Sequence, residues 1–214
     1  MSTPTLPTHV FDTPAIPRGE PVWPLARLYR SQGEWTEDDY YDLNASFLVE
    51  LCDGFLEFPP MPTIAHHLIV AFLYKLLDAF VAARNAGIVI PAPVPVHLGP
   101  NHAREPDIVF LRPGGPRFRQ QYPEGADLVV EVVSGGPDDR KRDLVVKPVE
   151  YAQAGIPEYW IVDPQERRIT VLTLDGKLYR EHGVFGPGQT ATSLLLDGFS
   201  VGVSSVLDAG IAQQ

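Results

Sequence analysis

The 214-residue chain contains one cysteine, Cys52. A single thiol cannot build a disulfide framework or a cysteine-based zinc site, and this scarcity fits a reducing, cytoplasmic setting. The N-terminus has no basic-then-apolar signal pattern. No apolar run reads as long enough to cross a bilayer, so no membrane partner is expected. Positive charge is short: 17 Lys and Arg stand against 27 Asp and Glu, a formal net charge of −10. That balance argues against broad nonspecific DNA binding, which normally uses a basic surface. Internal repeats, a glycine-rich phosphate loop and a nucleophile elbow are also missing. Solenoids, P-loop nucleotide binding and α/β-hydrolase chemistry are therefore set aside.

Proline is plentiful, with 22 residues. Residues 1–35 are rich in it and lack periodicity, which predicts an extended or partly disordered, peripheral arm. Beyond it, helical and strand patterns alternate, and residues 36–214 are long enough for one α/β domain with a substantial core.

Thr36-Glu-Asp-Asp39 is a capping sequence for a short helix to about Asn44. Asp53-Gly54 supplies a two-residue turn for a hairpin over Phe47–Phe58. In that register Phe47, Val49, Leu51, Leu56 and Phe58 make an apolar face, and Glu50 lies opposite Glu57 on the other. Like charges across a strand pair are destabilising, so the face must be solvated or a basic residue must lie nearby. Thr63 caps a helix running to about Asn85, with Gly87 as its stop and a buried stripe of Ile69, Phe72, Leu73, Leu76, Leu77 and Phe80. His66 and His67 lie in its first turn and, being adjacent, point in different directions. The prolines interleaved at 91, 93 and 95 confine the next strands to an edge or to one face. Residues 101–105 read as a turn, and Arg112, Arg117 and Arg119 form the most basic loop, the best candidate for contacting a nucleic-acid backbone or else an ordinary solvated loop. The polar, breaker-rich segment 134–143 is expected to be a loop covering the site entrance. Pro148 is tolerable only in a first turn, which predicts a helix from about Val145 to Gly155. Two further strand regions follow, at Tyr159–Val162 and in a hairpin around Asp175-Gly176. Leu194–Val206 closes the fold.

The chemistry concentrates between Asp107 and Lys147. In the strand 127–133, Leu128, Val130 and Val132 share one apolar face, while Glu131 sits between Val129 and Val133 on the other. A buried carboxylate there must be neutralised, paired with a cation or bound to a metal. Asp107 begins another strand after Pro106. If the two strands are neighbours the carboxylates converge, and two hard oxygen ligands with room for water suit Mg²⁺ or Mn²⁺. A nearby lysine can orient water or stabilise charge at a phosphate.

These features carry a resemblance. Arg104-Glu-Pro-Asp107, Glu131-Val-Val-Ser134, Asp143-x-x-x-Lys147 and Tyr151-Ala-Gln-Ala-Gly-Ile-Pro-Glu-Tyr-Trp-Ile-Val-Asp-Pro164, with Glu50-Leu-Cys-Asp-Gly-Phe-Leu-Glu57 and His66 upstream, are similar to the Uma-type restriction endonucleases of the PD-(D/E)XK nuclease superfamily. The resemblance spans about residues 36–210. It implies a restriction-endonuclease-like mixed sheet flanked by helices and a divalent-metal-dependent DNA endonuclease. Asp107 and Glu131 would hold Mg²⁺ or Mn²⁺ and Lys147 would serve catalysis. The superfamily's usual lysine position, two residues after the Glu, is Val133 here, and Lys147 takes its place from the following helix. His66, one of Glu50 and Glu57, and Gln153 are expected to line the site. DNA is the expected substrate, and a homodimer the expected assembly, with the arm as a contact. Two other classes compete: a non-catalytic binding module in which Glu131 and Lys147 form a structural ion pair, and a homo-oligomeric partner protein assembled through the arm.

Overall fold

A computed structural model describes residues 30–43, 48–116, 118–119 and 122–211. The expectations for residues 1–29, Asn44, Phe47 and Arg117, and for the Arg119 side chain, lie outside the described residues. Residues 30–35, read as the end of the arm, lie against the first hairpin. The Gly33 and Trp35 amides donate to the Gly54 carbonyl at 2.8 and 3.1 Å, and the Trp35 side chain is buried.

Helix α1 (Glu37–Asp42) opens on Thr36 with a complete capping box to Asp39. Strands β1 (Glu50–Cys52) and β2 (Phe55–Glu57) pair in the predicted register, Glu50 with Glu57, Leu51 with Leu56 and Cys52 with Phe55. Asp53 and Gly54 both take positive φ (50° and 83°), the backbone that a two-residue hairpin turn requires. Phe58 departs from the expected apolar face and is exposed.

Helix α2 (Ile64–Arg84) is capped by Thr63 and ends on left-handed Asn85. Its buried stripe is Ile69, Leu73, Leu77 and Val81, whereas Leu76 is exposed. This helix corrects the expectation about apolar runs: by length and composition alone it is able to cross a membrane. Apolar residues surround it, so periodicity marks the inward face poorly.

Strands β3 (Ile88–Pro91) and β4 (Val96–Gly99) follow, then β5 (His102–Arg104), β6 (Ile108–Leu111), β7 (Phe118–Arg119), β8 (Tyr122–Pro123) and β9 (Leu128–Val132). Strand β5 corrects the reading of 101–105 as a turn: it pairs with both β1 and β4. The next helix begins at Pro137, not near Val145. It runs as α3 (Pro137–Lys141), a π-helical turn over Arg142–Val146 and α4 (Lys147–Gln153). Pro148 has no N–H and its ring crowds the preceding turn. The wider π turn just before it accommodates this, which places Lys147 in mid-helix. The chain closes with β10 (Glu158–Asp163), β11 (Arg168–Asp175), β12 (Leu178–Phe185), β13 (Thr190–Thr192), β14 (Ser200–Gly202) and α5 (Val203–Ala209).

Two sheets position the site. The larger runs β12-β11-β10-β9-β6-β3 and the smaller β2-β1-β5-β4. The larger is mixed: β9 and β10 are parallel, joined by the α3–α4 helix, and the other pairs are antiparallel. Strand β3, which ends on Pro91, and β4, which follows Pro95, each lie at a sheet edge, as expected. Leu128, Val130 and Val132 pack with α2 and α5 residues into one core, while Val129 and Val133 join Tyr151, Tyr159 and Val96 in another. Glu131 points into the second layer, between the sheet and the lysine-bearing helix.

Candidate active site

Strands β6 and β9 are antiparallel neighbours, with Ile108 opposite Val130. One step outward along that register places Asp107 across from Glu131. Pro106 donates no ladder hydrogen bond, and Asp107 takes over the strand end with its side chain. Its Oδ2 accepts from the Val132 amide at 2.7 Å, and its Oδ1 lies 2.9 Å from His66 Nε2. Thr63 fixes the first turn of α2 by accepting from the His66 amide at 3.2 Å, so the helix start delivers His66 to the site. His66 Nδ1 is buried without a hydrogen-bond partner. Neighbouring His67 is exposed.

Glu131 Oε1 accepts from Lys147 Nζ at 2.7 Å and from the Tyr151 hydroxyl at 2.6 Å. Lys147 Nζ also lies 3.4 Å from Glu50 and 3.5 Å from Asp143. Asp143 is thus a partner of Lys147 inside a buried cluster rather than on the surface. Lys147 is only 4% exposed, and Glu150 turns to Arg104 instead.

The electrostatics follow from that crowding. Burial is the strongest influence on Glu131. Together with the charges of Asp107, Asp143 and Glu50, it outweighs the Lys147 ammonium and pushes the carboxyl up to about 8. Burial likewise raises Asp143, against Lys147 and Arg142. For Lys147 burial works the other way, but Glu131, Glu50 and Asp143 prevail and hold the ammonium protonated. Burial pushes Glu105 up to about 7, with Tyr40 and Lys147 opposing.

Arg104 explains how the Glu50–Glu57 pair is tolerated. From β5 its guanidinium donates to Glu50 at 2.7 Å, to Glu57 at 2.6 Å and, in a two-pronged contact, to Glu150 at 2.8 Å. Burial would raise Glu150, but hydrogen bonds from His102 and Arg104 and the Arg104 charge hold it at about 2. Burial also acts upward on Glu50, and Lys147 and Arg104 overcome it. Glu50 thus bridges the Arg104 cluster and the Lys147 cluster, while Glu57 joins the Arg104 cluster.

Glu50, His66, Asp107, Glu131, Asp143 and Lys147 line one cleft of about 30 Å³. A water needs roughly 10–15 Å³ on this measure, so the cleft has room for a water or two, or for one small cation. Asp107 and Glu131 are hard oxygen donors, and the negative charge that raises Glu131 is what a cation relieves. Among the described residues no three His, Cys, Asp or Glu side chains already converge as ligands. The donor set therefore suits a cation that keeps much of its water, as Mg²⁺ and Mn²⁺ do.

Three expectations fare differently. Gln153 is exposed and lines no part of the cleft, because it lies beyond Tyr151 on a helix whose inward face is set by Lys147 and Tyr151. Arg112 is engaged with Asp127 at 2.7 Å. The polar segment 134–143 does reach the cleft, through Ser134, Arg142 and Asp143; Ser134–Gly136 is irregular, and the rest is helical from Pro137 onward. The sequence reading gave no site role to Arg104, Glu105, Tyr151 or Arg142. Tyr151 was within reach of it: four residues after Lys147, it shares that helix face.

Comparison with known proteins follows the geometry. A family model described as "Uma2: Putative restriction endonuclease" matches residues 37–206. A crystal structure described as that of "a putative nuclease belonging to DUF820" from Anabaena variabilis ATCC 29413 aligns with a TM-score of 0.68 at 17% identity, over 82% of this chain and 99% of that one. At that identity the likeness shows the fold. No curated protein matches the sequence.

Proposed function

From the premise that the chain belongs to the Uma2 restriction endonuclease family, with a nuclease-like fold, we propose that it is a divalent-metal-dependent endonuclease hydrolysing DNA phosphodiester bonds. The observation that carries this reading is the facing of Asp107 and Glu131 across adjacent strands, with Lys147 Nζ 2.7 Å from Glu131. Asp107 and Glu131 would hold Mg²⁺ or Mn²⁺, which supplies Lewis-acid activation of water and neutralises charge at the scissile phosphate. His66 and the Val132 amide fix the Asp107 carboxylate. Tyr151 and Lys147 fix Glu131. Lys147, kept protonated by its carboxylate neighbours, suits stabilising charge on the phosphate rather than removing a proton. Glu50, held by Arg104, adds to the field that keeps it so.

The test is cleavage of supercoiled and single-stranded DNA with Mg²⁺ or Mn²⁺. Glu131→Ala should abolish cutting while the protein stays folded; a variant that still cuts sinks the assignment. One observation favours a second reading. Lys147 Nζ has three carboxylates within 3.5 Å, as in a structural ion cluster, and a non-catalytic binding module would keep the cluster for the fold alone.

A further inference from the structure

Beside the carboxylate cleft lies a larger cavity of about 500 Å³, within the range of small-molecule sites (roughly 300–1,000 Å³). His66, Glu105 and Asp107 line both spaces, so the two are contiguous. Its lining is largely aliphatic and proline, with three tyrosines, Tyr40, Tyr41 and Tyr122, set among them. Tyr41 and Tyr122 stack with centroids 4.8 Å apart and planes 14° from parallel, and Tyr40 is anchored through its hydroxyl to the Val49 carbonyl at 2.9 Å and Glu105 Oε1 at 3.0 Å. No Lys or Arg is among the described residues lining it. At the junction Glu105 is 7% exposed, and its Oε2 is buried without a hydrogen-bond partner.

His66 and His67 also line it, but with two carboxylates and no lysine or arginine among the described lining residues the cavity suits a flat, neutral, hydrogen-bonding ring better than a phosphate. Unpaired bases are recognised by stacking on aromatic side chains and by hydrogen bonds at their edges. A base inside an intact duplex must first be extruded, at a cost that a single strand does not meet.

Resting on the nuclease reading, we infer that the Tyr40–Tyr41–Tyr122 cavity is a base-binding subsite. It holds the unpaired nucleobase next to the scissile phosphate, so the substrate is single-stranded DNA or an unpaired stretch of it. Tyr41 and Tyr122 supply the stacking wall. Glu105 Oε2 accepts from a base-edge N–H. Asp107, at the mouth shared by the two spaces, sets the distance between the held base and the cleft.

The test measures binding with Ca²⁺ as the divalent ion, using a labelled single-stranded oligonucleotide, the same sequence as a blunt duplex, and an abasic strand of equal length and charge. The expected result is single-strand affinity at least tenfold above both duplex and abasic strand. Tyr122→Ser should lose roughly 10- to 100-fold on the single strand, the scale of base stacking, while Tyr122→Phe keeps it. Melting curves check that both variants fold, and the abasic strand tests the idea without any substitution. Equal affinity for single strand and duplex, full affinity for the abasic strand, or no binding of any of them would each overturn the inference. A parallel cleavage assay with Mn²⁺ separates the two claims. Base-dependent binding without cutting leaves the subsite standing and removes the nuclease. Duplex cut as fast as single strand, with Tyr122→Ser unaffected, keeps the nuclease and removes the subsite.

Discussion

Replacing Glu131 with glutamine in the metal-free protein should make it more stable, not less. The carboxyl ordinarily titrates near 4.5, and burial among carboxylates pushes it up to about 8. At pH 7 the folded protein therefore holds a proton that the unfolded chain has released. Between 4.5 and 7 lie 2.5 pH units, and at about 1.36 kcal/mol each this costs about 3 kcal/mol of stability at pH 7. At pH 5 the cost falls to about 1 kcal/mol. Glutamine has nearly the same shape, carries no charge, and can accept the Lys147 and Tyr151 hydrogen bonds through its amide oxygen. Urea unfolding in a chelator should then show Glu131→Gln gaining up to about 3 kcal/mol at pH 7 and about 1 kcal/mol at pH 5. The same variant should lose cleavage. A loss of about 2 kcal/mol or more at pH 7 would refute the reasoning, because breaking an ionised structural pair with Lys147 has that signature.

Lys147→Met should destabilise by about 3–5 kcal/mol, since it strands the fully buried Glu50 beside Asp143, measurable by the same unfolding curves. Arg104→Met should cost a similar ~3–5 kcal/mol and loosen the first hairpin, read as faster amide exchange at Leu51 and Leu56. The metal-free protein should lose stability as pH rises from 4.5 to about 8. Glu131 and Glu105 have raised folded pKa values, so their stabilising protons are lost across that window, whereas Glu50, Glu150 and Asp163 are depressed and act only below their ordinary values. Mn²⁺ should therefore raise the melting temperature more at pH 8 than at pH 5; an equal rise at both would count against Glu131 as a ligand.

Much of this architecture was legible where local chemistry leaves few options. Asp53-Gly54 set the hairpin register to the residue, and the two-residue period of strand 128–132 placed Glu131 on its correct face. Pro106-Asp107 marked the start of β6. The misreadings share a physical origin. Pro148 forbids an ordinary helix through 144–148, and one sequence does not reveal that a π turn will absorb it, so the helix was placed too late. Strand β5 is three residues of mixed polarity, and its partners β1 and β4 lie far apart in sequence. Arg104 therefore read as turn, although it is the cation that makes Glu50 and Glu57 compatible. Helix α2 carries apolar residues on its exposed face as well as its buried one, so periodicity chose Leu76 where packing chose Val81. Gln153 was assigned to the cleft because it shares a helix with Lys147, but six residues further on it does not share the Lys147 face and is exposed.

The central claim is that Asp107, Glu131 and Lys147 form one metal-dependent hydrolytic centre. Its most direct test is single-turnover DNA cleavage with Mn²⁺, comparing wild type, Asp107→Ala and Lys147→Ala, with folding verified for each. The account predicts cutting by the wild type that a chelator stops and that both substitutions abolish. Metal-dependent cutting that survives in folded Lys147→Ala would contradict it, and so would a folded wild type that neither cuts nor binds Mn²⁺.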